Sequence, residues 1–302
     1  PARKRKPLPA GYLLMGGGVC DAYQPAEESY RLARGTLELA LRYGYPVHIL
    51  TKSVLVERDI DLIEEINRKN RAIVSFSFSS ADSRVSGVFE PGVPPPERRL
   101  EAIRRMKGAG ISCGMFLMPV IPFVTDTPEM IAETLRQGKE AGIDFCIFGS
   151  MTLKAGRQRE HFLETLRRHY PEIEPRYDEI YSPDSRWGES TPRYAQGVNA
   201  VFDQTASAAG IPKRIPRRLF GDIIAGNDLV IVILEHLDYL LKLKGRSSPY
   251  GYAAWSLTKL DRPVSGLSRE ELLGIKGVGP AVAAVIDEIL RTGTCGEYER
   301  MM

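Results

Sequence analysis

Apolar positions between residue 11 and about residue 170 follow two alternating rhythms. Short apolar runs of strand length give way to stretches with apolar residues three and four apart. The short runs predict strands over 11–18, 46–51, 71–79, 111–120 and 144–149. The helical period covers 27–43, 58–69, 96–109, 128–141 and 158–169. Gly44 and Gly110 stop two of these helices, and Pro171 follows another. In 71–79, Val74, Phe76 and Phe78 alternate with Ile73, Ser75, Ser77 and Ser79, as a strand requires. Successive β-then-α units predict an α/β fold on a parallel sheet, as an open sheet or a barrel. A dinucleotide fold has little support, because no G-x-G-x-x-G follows a strand.

The pattern changes after about residue 183. Helical periodicity covers 192–210 and 222–243, the latter through Ile223, Leu229, Ile233, Leu237 and Leu241. An IPKRIPRR stretch joins the two. These shifts predict domains over 1–182, 183–262 and 263–302. In the last, Ser268 and Glu271 have the spacing of a capping box. A tight turn follows at Ile275-Lys276-Gly277-Val278-Gly279, and Pro280 suits the first turn of a helix carrying Ala283, Ile286 and Ile289.

Composition narrows the classes. With 43% hydrophobic and 26% charged residues, the 302-residue chain is a folded protein and not a disordered one. No apolar run reaches the ~18–20 residues of a membrane span. The basic start is not followed by an apolar signal segment. The four cysteines, at 20, 113, 146 and 295, lack metal-ligand spacing, which predicts free thiols in a reducing cytoplasm. The net charge of +3 is mild, but it gathers at Arg3–Lys6, at Lys213, Arg214, Arg217 and Arg218, and at Lys242, Lys244 and Arg246. Each cluster also reads as solvated surface.

Parallel β/α architectures place function at the carboxyl ends of their strands. Those ends carry Cys20, Asp21, Tyr23 and Gln24 after the first strand, and Thr51, Lys52 and Ser53 after the second. Ser77, Ser79, Ser80 and Asp82 follow the third, Pro119, Pro122 and Asp126 the fourth, and Gly149, Ser150, Thr152 and Lys154 the fifth. Lys52 directly after a buried strand points to a site, with snorkelling to the surface as the alternative.

Two resemblances sharpen this picture. The tail LSREELLGIKGVGPAVAAVIDEILRTG resembles a helix-hairpin-helix motif, a sequence-independent DNA-binding element. Its glycines let backbone N–H groups at a helix N-terminus approach a phosphate, and Lys276 adds charge. The expected nucleic-acid contacts are Lys276, Gly277, Val278 and Gly279, with Arg214, Arg217 and Arg218 from the basic stretch. A hairpin used only for packing stays open as the alternative.

The first half resembles the spore-photoproduct-lyase-like branch of the radical SAM enzymes. The resemblance runs through GGGVCDAYQPAEESYRLARGTLELA, HILTKSVLVERDIDLI, SFSFSSADSRVSGVFEPGVPPPERRLEAIRRMKGAGI and MPVIPFVTDT, from about residue 11 to 170. It implies a partial (β/α)6 TIM-like barrel, S-adenosylmethionine (SAM), a [4Fe-4S] cluster, and radical chemistry on nucleic acid such as DNA lesion repair or modification. The implied cofactor-binding residues are Gly17, Gly18, Asp21, Tyr23, Gln24, Lys52, Ser77 and Ser79. Glu90 and Arg99 look like positions that organise the site, or equally an internal salt bridge. Cys20 looks like a hydrogen-atom donor, or a buried core thiol.

The sequence departs from the family at one point. The family's CxxxCxxC cluster motif is absent from these 302 residues. The match starts at what should be the second barrel strand, and the chain begins with proline. The expectation is therefore a chain lacking its first barrel unit and cluster loop. A degenerate, cluster-free DNA-binding protein without radical turnover is the alternative, and a Schiff-base lyase using Lys52 is a third reading.

Overall fold

The computed structural model describes residues 13–16, 20–182, 185–219, 221 and 223–302. The chain divides into two compact units at residues 219 and 220.

The first unit is built on five parallel strands: β1 (Leu13–Met15), β2 (Val47–Thr51), β3 (Ala72–Phe78), β4 (Ser112–Val120) and β5 (Phe145–Ser150). They lie in the order β1-β2-β3-β4-β5, so every connection crosses over to the next position in the sheet. Parallel neighbours require such crossovers. Here they carry helices α1 (Glu27–Tyr30) and α2 (Leu32–Tyr43), then α3 (Ile60–Lys69), then α4 (Ser83–Phe89) and α5 (Pro96–Gly108), then α6 (Pro128–Ala141). Beyond β5 come α7 (Arg157–His169), α8 (Tyr177–Ile180) and α9 (Pro192–Ala209). This is the α/β fold on a parallel sheet that the alternating pattern predicts, and its five-stranded sheet is in keeping with the partial barrel that the resemblance implies.

The sheet is covered on its helix side by a single core. Val74, Phe76 and Phe78 of β3 pack there with Leu37 of α2, Ile63 and Ile66 of α3, and Ile103 and Met106 of α5. Each fully buried side chain of this size contributes roughly 1.5–3 kcal/mol relative to exposure. The alternate residues of β3 face the other way. Ser75 Oγ lies 2.9 Å from His48 Nε2, and Ser77 lines a cleft.

Close approach at the first strand depends on Gly16. Its φ is +92°, and a Cβ there would lie 2.1 Å from the Leu50 carbonyl oxygen. Only glycine allows the chain to leave β1 this close to β2.

Two local departures from the periodicity have physical causes. The single helix expected over 27–43 is broken at Arg31, which has φ 50°. The Glu27 carboxylate caps the restarted helix by accepting from the N–H groups of Ala33 (3.0 Å) and Arg34 (3.3 Å). Helix α4 escapes sequence detection because S-R-V-S-G-V-F is poor in helix formers. The Asp82 carboxylate nucleates it, accepting from Arg84 N at 2.8 Å and Val85 N at 3.4 Å.

The domain division also differs from the sequence reading at 182. Helix α9 belongs to the first unit: Phe202 stacks on Phe148 at 4.4 Å, and Ala206 lies in the sheet's core. So does the IPKRIPRR stretch. Ile215 and Leu219 pack with Ile73, Phe116, Phe145 and Ile147 on the face of the sheet opposite the helices. Ile73 is the second residue of β3 and Phe145 the first of β5, so this plug lies toward the amino-terminal end of the sheet.

The second unit is all-helical: α10 (Gly226–Leu243), α11 (Tyr250–Leu257), α12 (Arg269–Leu273), α13 (Pro280–Thr292) and α14 (Gly296–Met301). Its core joins Ile233, Leu234 and Leu237 of α10 to Ala253 and Leu257 of α11 and to Ala283, Ile286 and Ile289 of α13. Among the described residues, no helix is long and apolar enough to cross a membrane.

Candidate functional site

The carboxyl ends of the strands surround a cleft of about 580 Å³. Cys20 and Asp21 enter it from the segment after β1, and Leu50, Thr51 and Lys52 from the end of β2. Ser77 comes from β3, Met118 and Pro119 from β4, and Gly149, Ser150, Met151 and Thr152 from the end of β5. The volume is that of a small-molecule or cofactor site, typically ~300–1,000 Å³.

Asp21 organises one wall. Its carboxylate accepts from Thr51 Oγ1 (2.7 and 2.9 Å), from the Lys52 N–H (2.7 Å) and from the Tyr23 N–H (2.8 Å). This ties the segment after β1 to the end of β2. Gln24 Nε2 donates to the Asp21 carbonyl oxygen at 3.0 Å and lies on the exposed side.

Lys52 is held from behind. Its ammonium pairs with Glu90, whose other oxygen lies 2.7 Å from Arg99 Nη2. Burial opposes ionisation of Glu90, but Arg99 and Lys52 outweigh it and hold the carboxyl below its usual range. Arg99 is fully buried and donates to the Ser77 carbonyl oxygen at 2.5 Å. Its guanidinium lies 4.8 Å from the Phe78 ring centroid. Glu90 and Arg99 therefore form the internal salt bridge that the sequence left open, and that bridge fixes both Lys52 and the strand end carrying Ser77.

The expected residues divide. Cys20, Asp21, Lys52 and Ser77 are brought together in the cleft. Cys20 is exposed, so it is not the core thiol considered for it. Tyr23 points away: it is buried, and its hydroxyl donates to Asp59 Oδ2 at 3.2 Å within a cluster completed by Arg34 and Arg58. Ser79 does not line the cleft; it is buried and its Oγ has no partner. Gly17 and Gly18 lie outside the described residues. Sequence reasoning passed over Leu50, Met118 and Met151, the apolar part of the lining. It also passed over Trp187, which is exposed between Arg186 and Lys154, with the two cations 4.9 and 5.4 Å from its ring centroid.

The basic stretch sits elsewhere. Arg218 Nη2 pairs with Asp144 Oδ1 at 3.0 Å, just before β5 and at the end of the sheet opposite the cleft. Arg214 and Arg217 belong to the same plug segment of the first unit. The three arginines are thus in a different unit from the hairpin they were grouped with.

In the second unit, the capping box forms as expected. Ser268 Oγ accepts from Glu271 N at 3.2 Å, and Glu271 Oε2 accepts from Ser268 N at 2.7 Å. Gly277 takes φ +87°, and a Cβ on it would lie 2.7 Å from Tyr252 Cδ1. Lys276, Gly277 and Gly279 are exposed. Val278 is not: its side chain lies in the core and its N–H donates to the Ile275 carbonyl at 2.9 Å. Val278 therefore anchors the turn, and the surface is left to its neighbours.

The thiols do not suit an iron–sulfur cluster. Among the described residues no three His, Cys, Asp or Glu side chains could share a metal ion. Burial pushes the Cys113 and Cys146 thiols up to about 12 and raises that of Cys295. Cluster ligands are thiolates gathered on one centre, and among the described residues no three of these thiols are so gathered. A SAM molecule is a better match for the residues present, since the cleft offers both polar strand ends and an apolar wall of adequate volume.

Comparison with known proteins agrees with this division. The family model of the Radical SAM superfamily matches residues 2–127, and that of the helix-hairpin-helix domain matches residues 225–295. The chain thus resembles the radical SAM superfamily in its first part and the helix-hairpin-helix domain in its last. It is 34% identical over 165 residues to the uncharacterized protein Rv2578c of Mycobacterium tuberculosis, covering 55% of this chain and 48% of that protein. It is 32% identical over 154 residues to the uncharacterized protein MJ0683 of Methanocaldococcus jannaschii, covering 51% of this chain and 55% of that protein. The chain therefore spans about half the length of these curated relatives. Among solved structures, spore photoproduct lyase complexed with dinucleoside spore photoproduct aligns with a TM-score of 0.45 at 20% identity, over 60% of this chain and 54% of that one.

Proposed function

We propose that the chain belongs to a radical SAM enzyme that acts on DNA, with the strand-end cleft holding SAM and the hairpin holding the DNA backbone. The observation that carries this reading is the convergence of Cys20, Asp21, Lys52, Ser77 and Ser150 on one cleft, within a chain whose residues 2–127 match the superfamily. When bound, SAM supplies the adenosyl group from which the family's radical chemistry starts. The chain's own residues position it. Lys52, fixed by Glu90, offers an ammonium to the SAM carboxylate. The hydroxyls of Ser77, Ser150 and Thr152 offer hydrogen bonds to its amino and ribose groups. Leu50, Met118 and Met151 exclude water from one wall. Cys20, at the exposed edge of the cleft, is the residue that in this reading hands a hydrogen atom to a substrate radical.

No step is assigned to the cluster within these residues, because their cysteines cannot hold one. Cluster-dependent turnover requires thiolates from elsewhere. The same observation favours a second reading, a cluster-free protein that binds DNA without turnover. SAM titration separates the two. Saturable SAM binding that is weakened at least tenfold by Lys52→Met supports the enzyme reading. DNA binding with no response to SAM supports the second.

A further inference from the structure

We propose that Tyr252, Trp255 and Lys259 form a stacking platform for an unpaired DNA base beside the 276–279 hairpin. The inference deepens the DNA-binding part of the proposed function and rests on it. The three residues are spaced three and four apart, so they share one face of α11 and its following turn. The opposite face, with Tyr250, Ala253, Ala254 and Leu257, is buried in the core and anchors the helix.

The free face is unusual. The Tyr252 and Trp255 rings stack with centroids 5.5 Å apart at 22°. Both side chains are still about half exposed, at 53% and 51%. The ammonium of Lys259 lies 3.0 Å from the Trp255 ring centroid. Two stacked aromatics kept in water are not explained by the packing of the unit. They adjoin the hairpin directly, since the Tyr252 ring fills the space a side chain at position 277 would need. Lys276 directly precedes the Gly277 that the Tyr252 ring packs against, Lys259 stands over Trp255, and both lysines are exposed. An aromatic surface between cations fits a polyanion that carries flat apolar rings.

The geometry also says which DNA. A base inside an intact duplex has both faces covered by its neighbours, so it cannot stack on the platform. A base at a gap, a flap or a single-stranded end can. Base–aromatic stacking outweighs an exposed cation–π contact, so the base takes the place of the Lys259 ammonium over Trp255. The ammonium then moves to a phosphate of the same strand.

The test uses the full chain carrying Trp187→Phe, which leaves Trp255 as the sole tryptophan. Gapped and intact duplexes of one sequence are titrated at low salt. The expected result is quenching of Trp255 emission by the gapped DNA and binding of it about tenfold tighter than the intact duplex. In separate titrations by fluorescence anisotropy, Trp255→Ala abolishes that preference without weakening the intact duplex, and Trp255→Phe retains part of it. Equal affinity for both DNAs, with no quenching, overturns the platform. Binding that Lys276→Gln weakens but Trp255→Ala does not alter overturns the platform alone. Failure to bind any DNA overturns the DNA-binding part of the proposed function with it.

Discussion

Replacing Glu90 by glutamine tests how the cleft is held. Glu90 accepts from the fully buried Arg99 at 2.7 Å and from Ser86 Oγ at 3.1 Å, and it pairs with Lys52. Glutamine keeps the shape and removes the charge. Arg99 then retains neutral acceptors, the Ser77 carbonyl oxygen at 2.5 Å and Ser86 Oγ at 3.1 Å, but no anion. Breaking a buried ion pair on one side costs about 3–5 kcal/mol. The remaining acceptors place this case at the lower end, about 3 kcal/mol. In a unit of some 200 residues that lowers the melting temperature by roughly 6–12 °C. Urea unfolding followed by Trp187 emission, in a Trp255→Phe background, reports the first unit alone. The double variant Glu90→Gln with Arg99→Met removes the orphaned charge, so its loss should be smaller than the sum of the two single losses. A Glu90→Gln loss under 1 kcal/mol, or strict additivity, would refute the claim that this pair braces the cleft.

Other outcomes follow from the same geometry. Burial lowers the His48 pKa to about 4, so the unfolded chain binds more protons between pH 6.5 and 4. Stability of the first unit should then fall as pH drops through that window, by about 3 kcal/mol in all. His48→Gln should flatten the profile, and an unchanged slope would contradict the assignment. Anaerobic iron–sulfur reconstitution of the 302-residue chain should leave no [4Fe-4S] absorbance near 400 nm; stoichiometric cluster uptake would show that its thiols had been misread. Lys276→Gln should weaken duplex binding at every sequence and lower the salt slope by about one ion, as measured by anisotropy across salt concentrations. A sequence-selective loss would argue against backbone contact.

Much of this was legible because parallel strands with polar carboxyl ends announce themselves. The alternation of Ser75 and Ser77 with Phe76 and Phe78 separated the cleft side of β3 from its helix side, and Lys52 stood out directly after an apolar strand. The hairpin was equally readable, through Ser268, Glu271, Gly277 and Pro280. What periodicity does not carry is the pairing of side chains distant in sequence. Tyr23 follows Asp21 by two residues, yet it turns inward to Asp59, because Arg34 and Arg58 make that pocket polar. Arg214, Arg217 and Arg218 read as one surface with the hairpin. Ile215 and Leu219, among and after them, instead pin the stretch to the amino end of the sheet. Val278 lies inside a motif that binds through its backbone, and its side chain serves the core.

On the proposed reading, the strand-end cleft is a SAM site. Isothermal titration of the chain with SAM tests it most directly, with Lys52→Met and Ser77→Ala alongside. Binding should be saturable and one-to-one, reduced at least tenfold by Lys52→Met and less by Ser77→Ala, whose hydroxyl is partly committed to the Met118 carbonyl at 2.9 Å. Absence of binding, or binding indifferent to Lys52, would contradict it.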